Sequence, residues 1–425
     1  MANQVRAQAE TSLEARVLGL LAGKPALLAD PFPTWNEVRE TRPLLTTAGA
    51  LVLTRHRDVR ELLGDNFTMY SRQQSRHSRR YDEARARFSS LAQTSFDYVM
   101  DQEFGQLVRM DPPDHLRVRK VVTPPFTARN LAREMEPKVQ GRLDAKLDAL
   151  ASVDGVVDFK EFAYTFPLEV LGDLLGIPLE DLDSIHEWAH VIAENKLNAD
   201  SEEAAISADS AYRGLLGYVD RLIATQRAST ESTGVVSALL LAEGDGQISH
   251  DEARQMLALM LFAGHETTSN LLAIGMRDLL RHPDQWRLLC DAPDDLANPA
   301  VEELLRFVTP ANFTQYVTAR PIEIDGIAFA QGEAVIGVSA AANRDPEVFA
   351  RPDDLDITRE DAKYHLSLGL GPHFCIGAGL ARMEATKLFR AMAERFPDAR
   401  LVPGDIQWGG RSLRTPITLP LILHP

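Results

Sequence analysis

Apolar residues recur every three or four positions along most of the chain and predict helices. The pattern is plainest across residues 131–150, 211–226 and 379–396, which are rich in Ala, Leu, Glu and Arg. Strand signals are few. Residues 50–54 form an apolar run after Gly49 and predict a strand, followed by helical spacing over 58–63. Between Tyr316 and Ser339 the pattern alternates, with turn pairs Asp325-Gly326 and Gln331-Gly332, and predicts short antiparallel strands. The expected fold class is mainly α with a small antiparallel β region.

One helix stands apart. Ser249 and Glu252 form a capping box and no proline follows until Pro283, so a helix of about 30 residues, roughly 45 Å, is predicted. Its middle runs MLALMLFA, GHETTSN, LLAIGM over 256–276, a polar segment inside an otherwise apolar helix. Gly264 costs about 1 kcal/mol of helix propensity relative to Ala, and a buried carboxylate at Glu266 costs several kcal/mol unless paired or hydrated. A helix bend with a few buried waters accounts for the segment, and so does a functional site.

The 425 residues are 45% hydrophobic and 25% charged, a globular composition, and no repeat or low-complexity block divides them. One domain is expected. Lys and Arg number 45 against 61 Asp and Glu, and the formal charge of −16 argues against a general binder of nucleic acid or anionic membrane. The longest apolar run, 256–263, is far short of the roughly 20 residues of a spanning helix, so no membrane span is expected, and 17–22 is too short for a signal core. Cys290 and Cys375 allow at most one disulfide, which excludes a disulfide scaffold and points to a reducing cytoplasmic setting. Cys290, after Trp286, reads as packed core.

A lone cysteine usually reads as a small buried hydrophobe. The segment LGLGPHFCIG at 368–377, just before a strong helix, changes that reading for Cys375. Gly369, Gly371 and Gly377 clear side chains from around the sulfur and let amides and a flat ligand come close. The positive end of the following helix favours a thiolate. Zinc needs three or four ligands, and only His373 and Cys375 are neighbours. A nucleophile needs a base, and His373 need not face the sulfur. A thiolate ligand to haem iron needs the same glycines and helix without a base.

The segment resembles the haem-binding loop of the cytochrome P-450 monooxygenases, Phe-Gly-x-Gly-x-His-x-Cys-x-Gly, except that Leu368 stands at the phenylalanine position. Three further motifs stand in family order. AGHETT at 263–268 resembles the oxygen-activating helix, Glu303 with Arg306 the Glu-x-x-Arg pair, and DPPDH at 111–115 with Arg119 the propionate-binding helix. With ANRDP at 342–346 and Asp30, Pro31 and Phe32 near the start, the likeness covers residues 30–425. It implies one catalytic domain there and an N-terminal extension, partly flexible, over 1–29. It also implies haem b between the long central helix and the helix after the cysteine loop, with Cys375 as axial iron ligand.

The resemblance assigns the two propionates to His115, Arg119 and His373, and a helical i, i+4 spacing lets the first two point one way. In isolation HLRVRK reads more simply as a solvated charged face. Gly264 would leave room for oxygen and water, and Glu266 and Thr267 would relay protons. His265 is expected on the solvent side or in a salt bridge. Glu303 and Arg306 would brace the ligand segment through a further arginine, either Arg351 or Arg359. Many bacterial relatives place a propionate arginine where Tyr316 stands; Arg320 is four residues off register, so that third contact is unassigned.

The implied reaction is oxidation of a small organic substrate by activated dioxygen. Electrons would come from NAD(P)H through a ferredoxin or flavodoxin-type donor and its reductase. Arg117, Lys120 and Arg382 suit a docking patch on the cysteine side and, equally, a solvated face. Arg72, Arg76, Arg79, Arg80, Arg85 and Arg87 face only Asp82 and Glu83 within 70–90. They read first as a solvated helix and loop, and second as a site for an anionic or carrier-bound substrate. Peroxide-driven or radical-coupling chemistry competes, and Glu266 with Thr267 disfavours it; a degenerate haem scaffold is disfavoured by Cys375 and Thr267.

Overall fold

The computed structural model describes residues 12–424 except 48, 66, 197, 199, 200, 230–233, 411 and 412. Helices enclose one large apolar cluster. Six of them build the site: α1 (Asp114–Val122), α2 (Phe159–Leu175), α3 (Leu182–Asn195), α4 (His250–Arg281), α5 (Pro293–Val308) and α6 (Ala378–Arg395). The 32 residues of α4 run unbroken, about 48 Å at the α-helical rise. The Ser249 side chain accepts from the Glu252 N–H and the Glu252 carboxylate accepts from the Ser249 N–H, which is the capping box expected there. Apolar on most faces, α4 needs neighbours all round, and α2, α3, α5 and α6 all pack against it.

Strands β1 (Leu44–Thr47), β2 (Ala50–Leu53), β3 (Tyr70–Ser71), β4 (Thr314–Thr318) and β5 (Ala334–Gly337) form one sheet in the order β1-β2-β5-β4-β3. Its ladders are antiparallel except β2 with β5, which run parallel across the long excursion of chain between them. Ile322–Ile324 pairs with Ile327–Phe329, and Asp325 and Gly326 both take positive φ (48° and 80°) at the two-residue turn, as such a hairpin requires.

At the N-terminal end of the described chain, Ser12 caps the helix Leu13–Leu21, and Val17, Leu20 and Leu28 are buried in the same apolar cluster as residues of α4. The stretch over 17–22 is short because it is one face of an amphipathic helix with a core to pack on. Residues 1–11 lie outside the described residues. Among those described, no helix is long and apolar enough to cross a membrane.

Candidate active site

Cys375 follows the short turn Gly371–His373 and precedes α6. The loop closes on itself, with Cys375 N–H donating to Leu368 O at 2.8 Å and Phe374 N–H to Gly371 O at 3.1 Å. Gly369 and Gly371 have φ of 71° and 62°, and a Cβ on Gly371 would lie 3.2 Å from the Gly64 Cα. These two glycines are thus required by the backbone itself. Gly377 is the one beside the sulfur, at 4.0 Å from an added Cβ. The Cys375 residue is exposed, while protein atoms crowd round its thiol. Burial raises its pKa, against the Gly377 N–H, Arg119, Arg382 and the Ala378 N–H, which all pull it down. The helix end alone therefore does not make a resting thiolate here.

His115 on α1 is fully buried and its ring centroid lies 4.3 Å from that of His373. Both nitrogens of His115 and Nε2 of His373 are buried without a hydrogen-bond partner. Burial, then Arg119 and Arg72, push His115 down to about 4. Burial, then Arg72 and neighbouring cations, push His373 down to about 2. Both rings are neutral, and each has an N–H to give. One turn along α1, Arg119 Nη2 donates to Phe374 O at 2.6 Å, next to the cysteine. Each buried N–H left unpaired costs about 1–3 kcal/mol, so this corner is built for an acceptor such as a carboxylate.

In the middle of α4, Ala263 and Gly264 are exposed and Thr267 is half-buried, while Leu261, His265 and Glu266 are buried on other faces. Thr267 Oγ1 donates to Ala263 O at 3.1 Å. A Cβ on Gly264 would lie 3.3 Å from Leu171, so this glycine also lets α2 close onto α4. His265 is not on the solvent side. It is fully buried, with Nε2 at 2.6 Å from the Tyr164 hydroxyl and Nδ1 at 3.1 Å from Leu261 O, and burial holds it near 3 and neutral.

A polar cluster that the sequence did not reveal lies around it. The Tyr164 hydroxyl on α2 also meets His186 Nδ1 on α3. Four residues on, His190 Nδ1 stands 3.7 Å from Glu266, and that approach raises the His190 pKa. The i, i+4 spacing of His186 and His190 puts them on one helix face, but nothing local says that this face meets α4.

A family model, Cytochrome P450, matches residues 83–289 and 295–399. The chain belongs to the cytochrome P450 family. It is 36% identical over 420 residues to the cytochrome P450 monooxygenase PikC of Streptomyces venezuelae, covering 95% of this chain and 93% of that one. It is 32% identical over 410 residues to nocardicin C N-oxygenase of Nocardia uniformis subsp. tsuyamanensis, covering 94% and 97%. The solved structure of P450BioI in complex with hexadec-9Z-enoic acid ligated acyl carrier protein superimposes with a TM-score of 0.83 at 27% identity, over 94% of this chain and 99% of that one. This P450 is a haem-thiolate monooxygenase that uses haem b and receives NAD(P)H electrons through separate redox partners.

The residues present fit that cofactor. An exposed cysteine at the head of α6, a glycine beside its sulfur, and unpaired imidazole nitrogens in one corner match a flat metal complex with acidic arms. The P450 also resolves the brace. Glu303 and Arg306 are both fully buried and joined at 2.7 and 2.8 Å. Arg359, with 5% of its side chain exposed, reaches Glu303 at 3.2 Å, whereas Arg351 is 75% exposed and pairs with Asp354. Arg306 Nη1 donates to Asn343 O, and the Asn343 side chain holds the Leu366 N–H and Ser367 Oγ at 2.8 Å each. The brace thus ends at Ser367, the residue directly before the cysteine loop.

The surface arginines are mostly paired. Arg117 binds Asp114 and Glu252, and Arg382 binds Glu302, so of the three docking candidates only Lys120 has no ion pair among the described residues. Arg76 pairs with Asp101 and Arg85 with Asp97, acids on the next helix that a count within 70–90 leaves out. Arg72 is buried, and the side chains of Arg79 and Arg80 lie outside the described residues.

Proposed function

We propose that Cys375 ligates the haem iron, that His115, Arg119 and His373 hold the propionates, and that Gly264, Glu266 and Thr267 serve oxygen and proton handling. One observation carries this reading: three unpaired, buried imidazole nitrogens stand in the corner where Arg119 meets the exposed cysteine's loop. When bound, the thiolate-ligated haem supplies dioxygen reduction and oxygen insertion. Neutral His115 and His373 bind the acidic arms by donating N–H groups, without a desolvated charge of their own. Thr267 gives its hydroxyl hydrogen to Ala263 O, so its oxygen is left to accept from and orient a water. Glu266, about 100° round the helix from Thr267, takes protons from solvent through His190, whose side chain is 61% exposed.

The electron donor in this reading is a ferredoxin or flavodoxin-type protein docking on the cysteine side, where Lys120, Leu116 and Phe374 are exposed. The pairing of Arg76 and Arg85 favours a free small organic substrate over an anionic or carrier-bound one at that surface. Two unpaired cysteines support a cytoplasmic location. Two variants test the site. Cys375→Ser should abolish the red-shifted Soret band of the reduced carbonyl complex. Thr267→Ala should keep haem and band and oxidise NAD(P)H within a few-fold of wild type, with far less product and much more hydrogen peroxide per turnover. Equal product yield per NAD(P)H in Thr267→Ala and wild type would remove this hydroxyl from the proton path, and survival of the band in Cys375→Ser would remove the ligand assignment.

A further inference from the structure

Arg72 is 8% exposed, and no carboxylate among the described residues pairs with its guanidinium. Its Nη1 donates to Val108 O at 3.1 Å and its Nη2 to the Tyr316 hydroxyl at 2.8 Å, while Nε is buried with no partner. The guanidinium carbon lies 4.6 Å from the centroid of the Tyr316 ring. The neighbouring Asp111 is committed elsewhere: its carboxylate accepts from the Ser71 hydroxyl and from the Arg72 backbone N–H. The same Asp111 takes the His115 backbone N–H on its carbonyl at 3.0 Å, so Arg72 and His115 hang from one residue. His115 in turn lies against His373.

Sheet register explains why this arginine is there. In the antiparallel pair of β3 and β4, Tyr70 faces Thr318 and Ser71 faces Val317, so the next step sets position 72 across from Tyr316. A buried cation without a counterion is costly, and cation–π contact with the Tyr316 ring repays only part of that cost. An anion beside His115 and His373 would supply the rest.

We propose that Arg72, held in position by Tyr316, is a cofactor-binding residue that pairs with a haem propionate. This rests on the site reading above. With Arg119 it provides two cations for two carboxylates, and with the two neutral imidazoles it completes a four-residue anion corner. The guanidinium comes from the residue directly after β3 rather than from β4, across from the position where Tyr316 stands.

The test uses the haem-loaded protein and three readouts: haem transfer to excess apomyoglobin, the ferric/ferrous potential, and the reduced carbonyl band. Arg72→Met should release haem at least about tenfold faster, the factor expected for one lost charge-assisted hydrogen bond. Its potential should move negative, because losing a nearby positive charge favours the ferric state. The double variant Arg72→Met with Tyr316→Arg, which moves the guanidinium across to the facing strand, should recover most of both effects. Wild-type release and potential in Arg72→Met would overturn the proposal, as would a variant that only lowers the melting temperature while its potential stays put. The wild-type band keeps the two readings apart: if it is present while Arg72→Met behaves as wild type, only Arg72 is wrong, and if it is absent in wild type the haem-ligand assignment falls and this proposal with it.

Discussion

Replacing Glu303 by Gln removes one charge from the brace and almost nothing from its shape. Glu303 Oε1 accepts from Arg306 Nη2 at 2.8 Å, the Asp356 N–H at 3.0 Å and Arg359 Nε at 3.2 Å, and Oε2 accepts from Arg306 Nε at 2.7 Å. A glutamine with its oxygen at the Oε1 position keeps the first three but sets an NH2 group against the Arg306 Nε–H. The larger loss is electrostatic: Arg306, fully buried, keeps no counterion. Breaking a buried pair from one side costs about 3–5 kcal/mol. Arg359→Ala should cost less, about 1–3 kcal/mol, because the Glu303 to Arg306 pair survives it. Arg351→Ala, on an exposed pair at 3.4 Å, should stay below about 1 kcal/mol. Urea midpoints of the haem-loaded variants, at one fixed haem ratio, give the ranking. The reduced carbonyl band of Glu303→Gln should weaken as well, since Arg306 and Asn343 together hold Leu366 and Ser367 ahead of the cysteine loop. A Glu303→Gln midpoint within about 1 kcal/mol of wild type would refute the buried-brace reasoning, as would equal losses in Arg351→Ala and Arg359→Ala.

Glu384 on α6 is buried, its Oε2 has no partner, and burial raises its carboxyl pKa well above 4.5. The folded state keeps a proton that the unfolded state releases above 4.5, so stability falls by about 1.4 kcal/mol per pH unit over the range where that proton is held. Glu384→Gln should therefore raise the urea midpoint more at about pH 7 than at about pH 5, and equal gains at both would exclude the effect. His190 has its pKa raised above 6.5 by Glu266, so its contribution is full below 6.5 and is lost as pH climbs through the raised value. Product per NAD(P)H in wild type should fall over that climb, and His190→Gln should flatten the profile. A pH profile identical in the two proteins would exclude His190 from the proton path.

What could be read directly from contiguous residues was whatever a few neighbours determine among themselves. The capping box at Ser249 and Glu252, the glycine loop around Cys375 and the turn at Asp325-Gly326 all depend on local φ preferences and i, i+3 hydrogen bonds, and each stands where the pattern put it. The family motifs were legible for the same reason, as short strings whose order along the chain survives any amount of folding. What the string left open were questions about which distant surface a side chain meets. Arg351 and Arg359 are equivalent in sequence, and only the path of the chain turns one to solvent and the other to Glu303. His265 reads as solvent-facing because a polar run usually is, yet α2 and α3 cover it and supply Tyr164 and His186. Residues 17–22 are too short a run to say what they pack on, and only the assembled core buries Val17 and Leu20. Arg72 looks like one of six loose surface charges, and the pairing of β3 with β4 carries it inside, onto Tyr316 and within reach of His115 and His373. Burial decides whether a charge is solvated or must find a partner, and burial is a property of the assembled packing, not of the residue.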